Sequence, residues 1–422
     1  MRKMIGYAKL GRSMELKLEK CGSLGGDNEM VPTLKLLADR HPEHDFIIVG
    51  RNSGELPRDV GLPSNVYNPW HHVWPRVRRS INDAGLNYSN LSIDDHLRLR
   101  DLMWEHVQPM FEPLDHMIMW IGQHGTSNMP LPSIKDRNVL TKPYDWANLY
   151  GGYLLHAINR WRDADPINRE PVLLNADARN YPKWRDSKHS FFYPVLGQHN
   201  EATKMKHEQF NENGVDTSIV TTRYVRLEIS SLLPGTPFGD TIQFSDQWSG
   251  RHAFGIVFNE TRKEVPYDRS RKKALKEWVL PLEPRFIHGT WSQKTMDELR
   301  TYPTPLSLLE YIPKIQSVHS TLTTPASGSG WATAKPWEAF AAGVVCFFHP
   351  LYDTQDNILG DADPDLRNFL RVGDVATLRR RIKMVHEDVE IFHWAIEAQR
   401  AHFENACRNL DYLRLIEERL GL

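Results

Sequence analysis

Short β-branched or apolar runs bounded by Gly, Pro and polar residues alternate along this chain with longer segments of helical period, the pattern of βαβ units around a parallel sheet. The alternation occurs twice. The first series opens with a strand over 4–10, passes the small-residue loop 21–26 and enters a helix through Asp27 or Asn28 that runs to about Arg40. A strand over 45–49 follows. After an irregular stretch rich in Pro and Trp, the period predicts a helix over 93–107, a strand over 116–121, a long loop, a helix over 145–161 and a strand over 172–175. Periodicity is weak over 181–237, and a linker is expected near 233–240.

The second series opens with a strand over 253–258, followed by the basic segment 262–271, a helix to about 279 and a strand over 285–287. A strand over 319–323, a loop over 324–330, a helix over 333–342 closed by Gly343 and a strand over 344–348 complete it. Two helices, 375–386 and 390–418, have no strand after them. At 422 residues the chain exceeds what one core organises, so two domains of roughly 150–250 residues are expected. The expected fold is therefore α/β with two Rossmann-like domains, 1–236 and 237–400, and a C-terminal helix, 401–422, crossing back to the first.

With 40% hydrophobic and 25% charged residues, the composition is that of a folded globular chain. The longest apolar run, 339–348, is about half of what a membrane-spanning helix needs and contains Gly343. The N-terminus, with Lys9 and Arg12 soon after Arg2 and Lys3, is too charged for a signal peptide. A cytoplasmic protein without a membrane partner, favoured as a monomer, is expected. Cys21, Cys346 and Cys407 are odd in number and far apart, which fits neither a disulfide framework nor a C-x-x-C metal site. A net charge of −1 gives the whole chain no electrostatic pull on nucleic acid. A nucleic-acid site must then be local, and two patches mix cations with aromatic rings: Arg76, Arg78 and Arg79 beside Trp70 and Trp74, and Lys183, Arg185, Lys188 and His189 beside Trp184. Such runs are more often a solvated loop.

In open α/β sheets ligands bind beyond the carboxyl ends of the strands, so residues just after strands carry most information. Asp177 and Arg179 follow the 172–175 strand; the carboxylate is placed either to deprotonate a hydroxyl or to cap a turn against Arg179. After the strand ending near Phe258 come Arg262 and Arg269, whose planar guanidinium groups suit a diphosphate or form a solvated charge run. His288 and Gly289 follow the next strand; glycine lets a backbone approach a ligand. The most informative segment runs from Gly328 through Trp331, Lys335 and Glu338 to Gly343. Here a small-residue loop leads into a small-residue helix with Glu338 in its first turn, able to accept from ribose hydroxyls or to serve the helix dipole. Asp361, Asp363 and Asp365 precede a helix that Pro364 would start, and read as a capping loop. His71 and His72 are too isolated for a metal site.

Three segments resemble the GT-B type glycosyltransferases, and within them the T-even phage DNA β-glucosyltransferase family. Leu173-Leu174-Asn175-Ala176-Asp177-Ala178-Arg179 is similar to that family's strand and Thr-Asp-Ile-Arg turn. Phe258-Asn259-Glu260-Thr261-Arg262 with Arg269 resembles its arginine segment, and Lys335-Pro336-Trp337-Glu338-Ala339-Phe340-Ala341-Ala342 resembles its Arg-Val-Trp-Glu-Thr-Met-Ala-Ser helix. The resemblance implies two Rossmann-like domains facing across a deep cleft, and an inverting transferase with UDP-glucose as donor. It implies Asp177 as general base, Arg262 and Arg269 on the diphosphate, Glu338 on the ribose, and His288, Gly289, Trp331 and Lys335 about the donor. The implied acceptor is a hydroxymethylated pyrimidine flipped out of double-stranded DNA, near His124, Arg179, Tyr181, Lys183, Trp184 and Arg185. No metal ligand set is visible, although Mg2+ or Mn2+ could assist departure of the diphosphate. Lys335 stands where the family has arginine, and the segment between Arg262 and Arg269 differs.

Overall fold

The computed structural model describes residues 2–10, 27–49, 62–85, 93–121, 157–175 except 159, 166, 170 and 171, then 195–197, 222–224, 229, 232–234, 239–257, 273–288, 308–324, and 335–422 except 355. They form two compact units. One takes the described residues before position 228 together with Asp411–Leu422, and the other takes those of Glu228–Leu410.

The first unit is built on seven parallel strands: β1 (Met4–Leu10), β2 (Asp45–Ile48), β3 (Val66–Tyr67), β4 (His116–Ile121), β5 (Val172–Asn175), β6 (Val195–Gly197) and β7 (Thr222–Tyr224). Their order is β3-β2-β1-β4-β5-β6-β7, with direction reversing between β1 and β4, the doubly wound arrangement. Ile5, Tyr7 and Ala8 are all buried, which consecutive residues manage only on a strand covered on both faces. Helix α1 (Asp27–Arg40) packs Val31, Leu34, Leu37 and Ala38 inward at helical spacing. The stretch expected to be irregular holds α2 (Trp70–Asp83), which buries Val77 and Ile81 and bonds α3 (Ile93–Phe111) through Ser80 and His106 at 2.8 Å. Pro75 obscured that helix: an imino acid reads as a stop, and here it sits in the second turn, where it gives up the bond to the His71 carbonyl.

In the second unit β8 (His252–Phe254) pairs with β11 (Val318–Thr323), β11 with β12 (Val345–Phe348), and β9 (Ile256–Val257) with β10 (Ile287–His288), all parallel. The single strand expected over 253–258 is thus two, broken at Gly255. There the Gly255 N–H still donates to Ser320 O, whereas the Ile256 N–H donates to Phe286 O. A Cβ at this position would lie 2.7 Å from the Phe286 ring. Helix α4 (Leu308–Gln316) was not expected, and α5 (Lys335–Ala342) leads from β11 to β12. Then come α6 (Pro364–Leu370), α7 (Val375–Glu387) and α8 (Val389–Arg408). Asp363 caps α6 by accepting from the Asp365 and Leu366 N–H groups, the role read for it from the sequence.

The terminal helix expected over 390–418 is two helices, α8 and α9 (Asp411–Leu420), separated by Asn409 and Leu410. Helix α9 belongs to the first unit: Leu413, Ile416 and Leu420 are buried, Glu417 pairs with Arg40 at 2.9 Å and His41 at 3.0 Å, and Lys3 donates to the Leu420 and Gly421 carbonyls.

Two groups in the second unit resist protonation. His319 donates from Nε2 to Trp248 O at 2.8 Å and lies Nδ1 to Nδ1 with His386 at 3.0 Å, so His386 must donate to an unprotonated His319 nitrogen. Burial pushes His319 down to about 4, and burial against Trp278 pushes His349 down to about 4. The unfolded chain therefore binds more protons than the folded one between about pH 4 and the ordinary histidine value, and stability falls as pH drops through that window. Urea unfolding at pH 7 and pH 5 should give the lower stability at pH 5, with a smaller difference in His349→Asn; equal values would refute the assignment. Gly343, with φ at +75°, closes α5 where a Cβ would run into the Ser245 carbonyl. Gly343→Ala should cost about 2 kcal/mol or more, read as a lower urea midpoint with an unchanged m-value.

Candidate functional site

Helix α5 follows the carboxyl end of β11, the middle strand of the β12-β11-β8 sheet. In open α/β sheets the unpaired N–H groups of a helix start beyond a strand's carboxyl end are where ligands bind. The local sequence explains the element. Pro336 suits a first turn, and the small residues Ala339 and Ala342 let the helix press on the sheet, where both are fully or almost fully buried. Trp337 is wholly buried and packs on Phe340, His402 and Phe403 with ring centroids at 5.6, 5.3 and 6.3 Å. A bulky ring one residue before Glu338 fixes the rotation of the helix.

That rotation turns Glu338 inward. Its side chain is 1% exposed, and Lys335, one turn earlier, donates from Nζ to Oε2 at 3.2 Å. The same ammonium lies 4.2 Å from the ring centroid of Tyr311 on α4, and the Tyr311 hydroxyl donates to the Glu338 carboxylate. Burial, the Glu338 charge and that hydrogen bond hold the Tyr311 proton far above the ordinary phenol range. Burial and the same charge likewise push the Cys346 thiol up, so it is an inert neighbour and not a nucleophile. A buried carboxylate is tolerable only when paired and hydrogen-bonded, and Lys335 and Tyr311 supply both conditions.

The helix is anchored from behind. Gln399 of α8 accepts from the Cys346 N–H at 2.9 Å and donates to Val344 O at 3.1 Å, completing the open edge of β12. Arg251 donates to Gly343 O at 2.8 Å and to Ser245 O at 2.9 Å, with its charge over the Phe392 ring, and burial lowers it to about 10. Beyond β12, the buried Asp353 carboxylate accepts from the Asn357, Ile358 and Leu359 N–H groups. With the Arg371 guanidinium 3.9 Å from Oδ2 as well, the carboxylate is fully occupied and structural.

Of the residues expected at the site, the structure brings Lys335 and Glu338 together. His288 ends β10, with its side chain outside the described residues. Asp177, Arg179, Tyr181, Lys183, Trp184, Arg185, His124, Arg262, Arg269, Gly289 and Trp331 also lie outside them. Arg76, Arg78 and Arg79 sit exposed on α2, so the segment read as a loop is helical. Tyr311 and Gln399 were missed. Pro303, Pro305 and Pro313 break up the helical period around Tyr311, and nothing in the sequence marks a buried glutamine on a long amphipathic helix.

Among the described residues, one group has metal-ligand character: His41, Glu43 and His44, with ligand atoms within 4.8 Å of one another. It does not fit a divalent ion. His44 accepts the Lys3 N–H on Nδ1 at 3.1 Å, so its proton sits on Nε2, the nitrogen that would have to face the metal.

No protein-family model matches the chain, and no curated protein does. Solved structures do. A T4 phage β-glucosyltransferase structure determined with and without uridine diphosphoglucose superposes with a TM-score of 0.57 at 11% identity, covering 99% of this chain and 100% of that one. The T4 phage enzyme in complex with UDP and Mn2+ gives 0.54 at 12% identity over the same shares. The N-terminal domain of Candida albicans trehalose-6-phosphate phosphatase gives 0.50 at 11% identity, covering 97% of each chain. The chain therefore has the α/β fold of T4 phage β-glucosyltransferase, a GT-B type glycosyltransferase fold.

Proposed function

We propose that this protein transfers glucose from UDP-glucose to the hydroxyl of a 5-hydroxymethylpyrimidine in double-stranded DNA, with inversion at the sugar. The observation that carries the reading is the buried Glu338 carboxylate in the first turn of α5, beyond the carboxyl end of β11, where a nucleotide ribose would meet it. The fold shared with an enzyme solved in complex with UDP-glucose supports the same donor. In this reading the 237–400 domain holds the donor, with Arg262 and Arg269 on the diphosphate and His288, Gly289, Trp331 and Lys335 around it. The 1–236 domain holds DNA through His124, Arg179, Tyr181, Lys183, Trp184 and Arg185, and the 401–422 helix packs toward it.

The chemistry needs one base and a stabilised leaving group. Asp177 takes the proton of the acceptor hydroxyl as its oxygen attacks the anomeric carbon. The bond to the diphosphate breaks on the opposite face, and UDP departs with its charge met by the two arginines. Mg2+ or Mn2+ would come with the diphosphate oxygens as its main ligands, the usual mode for Mg2+.

The test is release of UDP from UDP-glucose by purified protein with plain or hydroxymethylpyrimidine-containing duplex DNA. Turnover is expected with modified DNA alone, giving a β-linked product, and Asp177→Asn should lower kcat by at least about a hundredfold. UDP-glucose binding with no DNA-dependent turnover would retain the donor and reject the acceptor.

A further inference from the structure

Helix α2 carries an outward row of arginines. Val77 and Ile81 hold its inner face in the core, each 1% exposed, while Arg76, Arg78 and Arg79 are exposed. Arg76 and Arg79, three positions apart, are neighbours on one face, and Arg78 flanks them. Among the described residues none of the three has an acidic partner, and Asp83, four positions after Arg79 and exposed, lies outside ion-pair distance of it. Like charges a turn apart destabilise a helix. On other helices the exposed cations are compensated: Lys383 meets Glu387 at 3.7 Å on α7, Arg400 meets Glu404 at 2.9 Å on α8, and Arg414 meets Glu418 at 2.6 Å on α9. A second arginine run is engaged in another way, since Arg379 donates to Pro281 O at 3.0 Å and Arg381 to Phe369 O at 2.6 Å. The α2 row is left for a partner outside the chain.

The chemistry of the row narrows that partner. Helix α2 contains no lysine, and the planar guanidinium of arginine grips phosphate oxygens in pairs where lysine offers a point charge. The row is spread along an exposed face, where a lone phosphate would stay hydrated, whereas a polyanion meets all three charges at once and releases its counterions. An anionic membrane fits less well. Helices that lie on membranes sink an apolar face into the lipid, and the apolar residues of α2 are already buried in the core. Clusters that read lipid headgroups also carry about four to eight cations.

We propose that Arg76, Arg78 and Arg79 form a phosphate-backbone contact for double-stranded DNA, holding the duplex without reading its sequence. The proposal rests on the reading of DNA as the acceptor, and it adds residues outside the group assigned above to the acceptor base. Phosphate contacts fix position and register but carry no sequence information, so plain and modified duplexes should depend on the row equally.

The experiment follows binding of plain and hydroxymethylpyrimidine-containing duplexes to the full chain by fluorescence anisotropy between about 50 and 200 mM salt. The variant is Arg76→Gln/Arg78→Gln/Arg79→Gln. Its charge-matched control is Lys383→Gln/Arg400→Gln/Arg414→Gln, which removes cations that already have partners. Each protein is checked for a native melting curve. The variant should weaken both duplexes alike and make the logarithmic salt slope shallower by about 2 to 3, with the control unchanged. With modified DNA, KM for the duplex should rise while kcat at saturation is retained. An unchanged salt slope in the variant overturns the contact while leaving DNA as the acceptor, and so does an equal loss in the control. Lost binding to phosphatidylserine vesicles with the original slope on DNA overturns it in favour of a membrane. An unaltered protein that binds neither duplex overturns the DNA reading beneath it. Should the triple variant fail to fold, Arg76→Gln/Arg79→Gln serves in its place, with a slope shallower by about 2 expected and an unchanged slope counting against the proposal.

Discussion

The neighbourhood of Glu338 depends on a few buried side chains that bond backbone groups which helix and sheet leave open. A short helix feeding an edge strand ends in carbonyls with no partner inside the element, and each one buried without a bond costs about 1–3 kcal/mol. Arg251 reaches Gly343 O, Gln316 reaches Ala342 O, and Gln399 bridges Val344 and Cys346. The guanidinium keeps its charge in a confined place by surrounding itself with carbonyl dipoles and an aromatic face. These three side chains come from different parts of the second unit, so the turn between α5 and β12 is held from three directions, and the start of α5 inherits that rigidity.

Rigidity matters because a buried carboxylate free to swing would lose the partners that make its burial tolerable. Trp337 sets the helix rotation, and Lys335 and Tyr311 are partners of the carboxylate. Neighbouring groups that might have carried chemistry are held neutral or fully occupied: the Cys346 thiol by burial and the nearby negative charge, and the Asp353 carboxylate by three backbone donors. What remains reactive toward a ligand is narrow. What is left is a hydrogen-bond receptor on a rigid helix.

Strand positions were legible because parallel strands buried on both faces must be continuously apolar, as in Ile5 to Ala8 and Val345 to Phe348. Helix α5 was legible from its small residues and the lone Glu338. Two helices with an interior proline were not: α2 carries Pro75 and α4 carries Pro313, and both were passed over because proline weakens the period from which a helix is read, although α1 was read across its Pro32. The break of the first strand at Gly255 was invisible for a different reason. It depends on the Phe286 ring from a distant segment lying against the glycine, a contact no local pattern encodes. Tyr311 as a partner of Glu338 was hidden in the same way, since pairing across two helices is a property of their packing.

Helix α9 gives the first unit a discontinuous sequence. Its strands and helices precede position 228, yet the residues that bond Lys3, Arg40 and His41 arrive only after the whole of Glu228–Leu410. During synthesis from the ribosome, the earlier part of this unit must wait, incompletely covered, while the second unit emerges and folds. The intervening unit behaves as an insertion within the first, and closure of α9 onto α1 cannot precede its synthesis.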